Sequence, residues 1–383
     1  RMLTLFQQID PRCVELSAAV AEHAAHAPQP KLTKVLITSE GLPAVRLHTQ
    51  GDDFLKETHF LERGDPNRKK EVATQSFLQV LMTSPEGERS WQSPPPEGWR
   101  TSYRRRAMAE WATDVEHGAG HLLARVIVNR LWQHHFGRGI VGTPSDFGTQ
   151  GERPTHPELL DYLAGELIRG GWKLKPIHRL IMTSAVYTEG SQSDAARAAV
   201  DTDNKLLWRR QRHRLEAEVI RDAMLATGGI LDETLLGPGT LDENHRRRSI
   251  YFTVKRSKLA SMMVLFDAPD ALQGLGARSS TTIAPQALLL LNNATVRDSA
   301  RAFAARATTD VAPGPDAGAT AVRRAYLMAL SRPPDETELA DALAFLESQS
   351  AQYAADGKAD GRQLAMADFC QVLLGLNEFV YID

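Results

Sequence analysis

The densest run of chemically capable side chains is Asn129-Arg130-Leu131-Trp132-Gln133-His134-His135-Phe136-Gly137-Arg138-Gly139, followed by Asp146 and Gln150. It sets two imidazoles, an indole, two amides and guanidinium groups near a carboxylate. Imidazole titrates near neutral pH, so His135 or His134 with Asp146 reads as an acid–base pair. Arg138 reads as a clamp for a carboxylate or sulfate, because its planar fork matches two oxygens at once. Asn129, Trp132, Gln150 and His156 complete a candidate ligand-binding set. A structural assignment competes with it: cationic side chains complement the negative end of a helix, while Trp132 and Phe136 fill a core.

A second group is Arg214, Glu218 and Arg221. A spacing of three and four places them on one helical face, where they could pair with one another or line a groove for an anionic or sugar ligand. If the two groups form one site, a ring of His134 or His135 should lie within about 8 Å of the Arg214 or Glu218 side chain across an open cleft. A third stretch, Ser279 to Ala287 with Asn292-Asn293, is rich in hydroxyls and amides. Gln286 and Asn293 would share a helical face there, tying elements together or reading a polar ligand.

Metal chemistry is poorly served. Neighbouring helical residues point about 100° apart, so His134 and His135 do not share an ion easily, and no His-Glu-x-x-His spacing occurs. No metal or other cofactor is expected. The Asp146-Phe147-Gly148 tripeptide matches the kinase magnesium motif, but no glycine-rich loop or His-Arg-Asp loop precedes it. Phosphate-binding P-loop and serine-nucleophile signatures are missing from the sequence.

The elements that would carry these groups are mainly helices. Leu123, Ile127, Leu131 and His134 recur at helical spacing over 119–136, and Gly137 and Gly139 end that helix. Thr155 with Glu158 reads as a capping box, and Asp335 with Glu338 repeats it. A helical stretch capped by Asp203 is expected to run through Leu215 and Val219 to Gly228-Gly229. Further helices are expected near 257–266, 284–305, 319–331, 335–349 and 361–378, and Ser249–Val254 reads as a strand. Upstream, residues 1 to about 30 read as helix, and a small β-meander spans about 33–63. Prolines and glycines make 83–103 a linker by composition. The expected class is therefore mainly α, a multi-helix domain at 104–383 preceded by a small β-rich segment within 1–82.

Composition bounds the rest. The 383 residues are 42% hydrophobic and 24% charged, which excludes wholesale disorder. Lys and Arg number 45 against 47 Asp and Glu, a balance unlike that of a dedicated nucleic-acid binder. Two cysteines, Cys13 and Cys370, exclude a disulfide framework. No apolar run approaches the roughly 18 residues of a membrane span. Arg1 at the start suggests a fragment, so a missing leader is no guide to location.

Several motifs in order resemble one family. They are Asn129 to Val141, Thr143 to Gly148 and Thr155 to Leu160, then Arg214 to Glu218 with Ile220-Arg221-Asp222. Phe266 to Asp270, Pro285 to Leu288 with Leu291-Asn292, and Leu376 to Phe379 follow. Together they resemble the planctomycete-type domain of unknown function 1553, over about 105–383. Glu57 to Pro66 resembles the segment that joins this domain to its upstream neighbour. The resemblance implies an exported protein, periplasmic or at the cell surface, whose upstream part often includes a cytochrome-c-like module. This chain has no Cys-x-x-Cys-His haem site, so any redox role lies outside it. The expected function is a binding or scaffolding module linked to polysaccharide use, an anionic polysaccharide being the candidate partner beside the upstream domain. The alternatives are a carbohydrate-active hydrolase or lyase using the His/Asp/Arg group, and a structural partner of a haem domain.

Overall fold

The computed structural model describes residues 2–26, 58–84, 87–99, 101–255, 257–269 and 274–382. They belong to two compact units, 1–37 with 234–239, and 38–233 with 240–383. In the first, α1 (Met2–Ile9) and α2 (Pro11–Ala25) replace the single helix expected, because Asp10 leaves helical geometry and accepts the Cys13 N–H at 2.9 Å.

In the second unit the first described element is β1 (His59–Leu61), antiparallel to β2 (Lys69–Val72). The other strands expected in the meander, at 34–38 and 44–48, lie outside the described residues. Then come α3 (Glu88–Trp91), α4 (Arg104–Thr113), α5 (Gly120–Phe136), α6 (Pro157–Arg169), α7 (Leu174–Met182) and α8 (Ala195–Val200). After β3 (His213–Arg214) follow α9 (Ala217–Thr227), α10 (Ser261–Leu265), α11 (Ala284–Asn292), α12 (Ala294–Thr308) and α13 (Ala317–Leu330). Finally α14 (Glu336–Ala355), α15 (Gly361–Gly375) and α16 (Asn377–Val380) lead into β4 (Tyr381–Ile382), which pairs antiparallel with β3. The protein is mainly α with a small β segment near its N-terminal side. Among the described residues no helix is long and apolar enough to cross a membrane.

Among the described residues, three apolar clusters organise this unit. In the smallest, Phe77 stacks on Trp111 at 5.4 Å and meets Trp91 edge-on, while the Trp91 indole donates to Asp114. Trp91 comes from the stretch expected to be a linker. The second cluster packs α5 against α6 and α7. Ala124, Val128, Trp132 and Phe136 are its buried stripe on α5, whereas of the expected stripe Leu123, Ile127 and Leu131 are only partly buried and His134 is exposed. The third gathers α9 to α16 around α15, whose Ala365, Met366, Phe369, Cys370, Leu373 and Leu374 are all buried. A helix covered on several sides needs no polar face. Burial pushes the Cys370 thiol up, which keeps it unreactive.

Local signals hold where partners are close in sequence. Gly137 ends α5 at φ 80°, and Asp335 and Glu338 cap α14 reciprocally at 2.7 and 2.8 Å. Elsewhere tertiary bonds intervene. Thr155 turns its amide and hydroxyl to the Ile140 carbonyl, leaving His156 at the N-cap of α6, so the expected capping box does not form. The stretch 203–212 is not helical: the Asp201 carboxylate accepts the Lys205 and Leu206 amides, the Asn204 side chain bonds Arg209, and Asn204 and Leu207 take positive φ. Ser249–Tyr251 is a single 3-10 turn rather than a strand. Asn293 splits the expected 284–305 helix by accepting from Thr295 and Val296.

Candidate functional site

Most of the side chains at the end of α5 are engaged within the fold. Asn129 is wholly buried, and its amide donates to the Val141 carbonyl at 3.1 Å and accepts the Val141 N–H at 2.8 Å. This double bond clips the following loop to the helix. Gly139 passes so close that an added Cβ would lie 2.6 Å from the Asn129 amide nitrogen. Trp132 is buried and stacks on Phe136 at 4.2 Å. Arg138 pairs with Glu152, and Asp146 caps its own turn by accepting the Gly148 N–H. His134, Asp146 and Gln150 are exposed. His156 bonds the Thr155 hydroxyl at 3.0 Å. Half-buried His135 meets His178 of α7 at 2.8 Å. The cavity bounded by Trp132, Phe136, Arg138 and Thr155 holds about 30 Å³, the share of one water.

The second group does not form the expected row. Arg214 belongs to β3, not to α9. Its guanidinium is buried, stacked over Phe266, and donates to Asp267 at 2.7 Å, to the Phe266 carbonyl at 3.1 Å and to the Thr281 carbonyl. Burial works against the Asp267 charge, but the Thr281 amide and Arg214 hold its pKa below the usual range. Gln286 is buried and donates to the carbonyls of Leu265 and Thr281, so it ties the same segments together. Arg221 is buried over the Phe252 ring and donates to the carbonyls of His245 and Arg247. Asp222 accepts the amide and hydroxyl of Ser249. Among the described residues no hydrogen bond or ion pair links His134 or His135 to Arg214, Glu218 or Arg221.

Of the nominated residues, Glu218 lines a sizeable cleft. It is about 510 Å³, within the range of ligand pockets, and is lined by residues of α9, of α10 and of the stretches 248–254 and 258–260. Much of its lining is apolar: Ile250, Val254 and Val264, which are 73%, 70% and 52% exposed, stand beside Val219, Phe252 and Met263. The carboxylates Glu216, Glu218, Asp222 and Glu243 and the cations Arg248, Lys258 and Arg278 rim it. Arg278 grips Glu218 through both oxygens, at 2.7 and 3.2 Å. Burial opposes the Glu218 charge, yet Arg278 keeps its pKa low. The alternation of Ile250, Phe252 and Val254 was a readable sign of a shared face. Arg278 and Asp267 carried no comparable sign, because their partners are far away in sequence. His245 was also overlooked; it meets Phe252 edge-on at 4.5 Å, and both its ring nitrogens are buried without a partner. Burial, then Arg221, lowers its pKa. Among the described residues no three His, Cys, Asp or Glu side chains converge as a metal site requires.

A family model described as PSD1, protein of unknown function (DUF1553), matches residues 104–346, well over half of the chain. The chain belongs to this family. Every lining residue of the cleft, and the His135–His178 contact, falls inside the DUF1553 match. Comparison with curated proteins gave no match, and neither did comparison with solved structures.

Proposed function

We propose that this DUF1553 chain is a binding module whose ligand seats in the cleft over α9 and α10. The observation that carries the reading is the exposed aliphatic side chains of Ile250, Val254 and Val264 lining a cleft of about 510 Å³. Clustered exposed apolar side chains with a polar rim favour an interaction site. Four carboxylates against three cations disfavour an anionic polysaccharide as occupant. A lining with one aromatic ring, Phe252, offers little for sugar faces to stack on, and supports a polypeptide ligand instead, as a scaffolding role would require.

The hydrolase or lyase reading draws less support. Glu218 is held charged by Arg278, the Ser249 hydroxyl is given to Asp222, and no imidazole lines the cleft. A general acid or base needs a free, suitably tuned group within reach of the substrate. The family resemblance supports an exported multidomain protein, periplasmic or at the cell surface, with an upstream and sometimes cytochrome-c-like neighbour as structural partner.

The test is methyl-resolved NMR of the chain with a panel of small peptides and oligosaccharides. Peptide-induced shifts at Ile250, Val254 and Val264 are expected. Shifts confined to other methyl groups, or produced by oligosaccharides alone, would refute the reading.

A further inference from the structure

We infer that the Glu216–Glu218 end of the cleft is a guanidinium-recognition subsite, and that Arg278 occupies it in place of an arginine carried between aliphatic residues of a partner polypeptide. The inference rests on the cleft being the ligand seat, and it adds the chemistry of the ligand and the contact that closes the seat.

The geometry already shows a guanidinium bound there. Arg278 places Nη1 at 2.7 Å from Glu218 Oε2 and Nη2 at 3.2 Å from Oε1, and its Nε lies 3.5 Å from Glu216 Oε1. A two-pronged contact of this kind fits a planar fork and not the point charge of a lysine. Two carboxylates face one cation, so the subsite keeps an excess of negative charge. Ile250, Val254 and Val264 line the same cleft and would seat the neighbours of an incoming arginine.

The internal occupant is replaceable. The side chains of Arg278, Glu218 and Glu216 are 33%, 32% and 43% exposed, and ion pairs open to water contribute little. The strand of chain that carries Arg278 is anchored on either side of it. The Gly276 carbonyl accepts from Gln133, and Thr281 is bonded to Asp267 and Arg214. Arg278 can therefore swing out while its segment stays in place, and a ligand arginine can take over the same two carboxylates.

The experiment uses the whole chain and two synthetic peptides, acetyl-Val-Arg-Ile-Leu-amide and its citrulline counterpart, which keeps the shape but loses the charge. Calorimetry gives the affinity, and the methyl spectra give the place. The arginine peptide should bind more tightly than the citrulline peptide and shift Ile250, Val254 and Val264. Arg278→Ala should tighten the arginine peptide by about three-fold or more, the scale of an ion pair open to water, and leave the citrulline peptide unchanged. Adding Glu218→Gln to Arg278→Ala should abolish that gain. If both peptides shift the cleft methyls with equal affinity, the subsite is refuted and the cleft survives. If neither peptide shifts them, both ideas fall. Should Arg278→Ala not fold, the comparison of the two peptides on the native chain decides.

Discussion

The rings of His135 and His178 meet with Nε2 of the first 2.8 Å from Nδ1 of the second, joining α5 to α7. One proton fits between those nitrogens, so one ring donates and the other accepts. Tyr187 packs edge-on against His135, and the Arg210 guanidinium lies over Tyr187 at 4.5 Å. Burial first, then the charges of His178, Arg210 and His134, push the His135 pKa below its ordinary value. At neutral pH this imidazole is an uncharged link between two helices.

Acid should loosen that link. The unfolded chain takes up a proton at the ordinary histidine value, about 6.5, before folded His135 does. The stabilisation is therefore present above that value and is lost as pH falls below it toward the folded pKa. The melting temperature should drop between pH 7.5 and 5.5 in the native chain, and less steeply in His135→Phe. His213 and His245, whose pKa values burial also lowers, leave some slope in the variant. An unchanged slope would remove His135 from the explanation.

Arg214 should be needed for folding. Alanine there leaves Asp267 and two carbonyls without their cation, and breaking one side of a buried pair costs roughly 3–5 kcal/mol. Lysine should rescue only part, since it cannot bridge Asp267, Phe266 and Thr281 with a planar fork. Urea titration of both variants reads this directly. A loss below about 1 kcal/mol for Arg214→Ala would show that the network is not stabilising.

The clip between Asn129 and Val141 makes a separate forecast. Asn129→Leu orphans a buried N–H and a buried C=O, each costing about 1–3 kcal/mol. Gly139→Ala should destabilise as well, because its Cβ would collide with the Asn129 amide and the Val141 carbonyl. Denaturation midpoints near the native value for both would contradict the clip.

Proteolysis should respect Trp91. We propose that the helical domain starts near 104, and the segment before it is anchored where Trp91 packs on Phe77 and donates to Asp114. Limited digestion should cut between Gln92 and Thr101 and spare Glu88–Trp91. Cleavage inside α3 before any in 92–101, read by mass spectrometry, would show that the tryptophan does not hold the segment.

Features decided within one helical turn were legible from residue order: the helical class, the Gly137 stop and the Asp335–Glu338 cap. A hydrophobic repeat or a capping pair acts over three or four residues, and those residues meet whatever the rest of the chain does. The candidate site was legible only as a set of capable groups. Arg214 finds Asp267 across 53 residues, Glu218 finds Arg278 across 60, and His135 finds His178 across 43. A guanidinium bonds whichever acceptor packing brings to it, and spacing along the chain says nothing about that acceptor. The same competition undid the helix expected over 203–212, where Asp201 and Asn204 drew backbone amides away from helical partners. Tertiary packing thus turned Arg214 and Arg221 into internal ties and left Glu218 at the cleft, because a buried charge must be satisfied by whatever is near it in space.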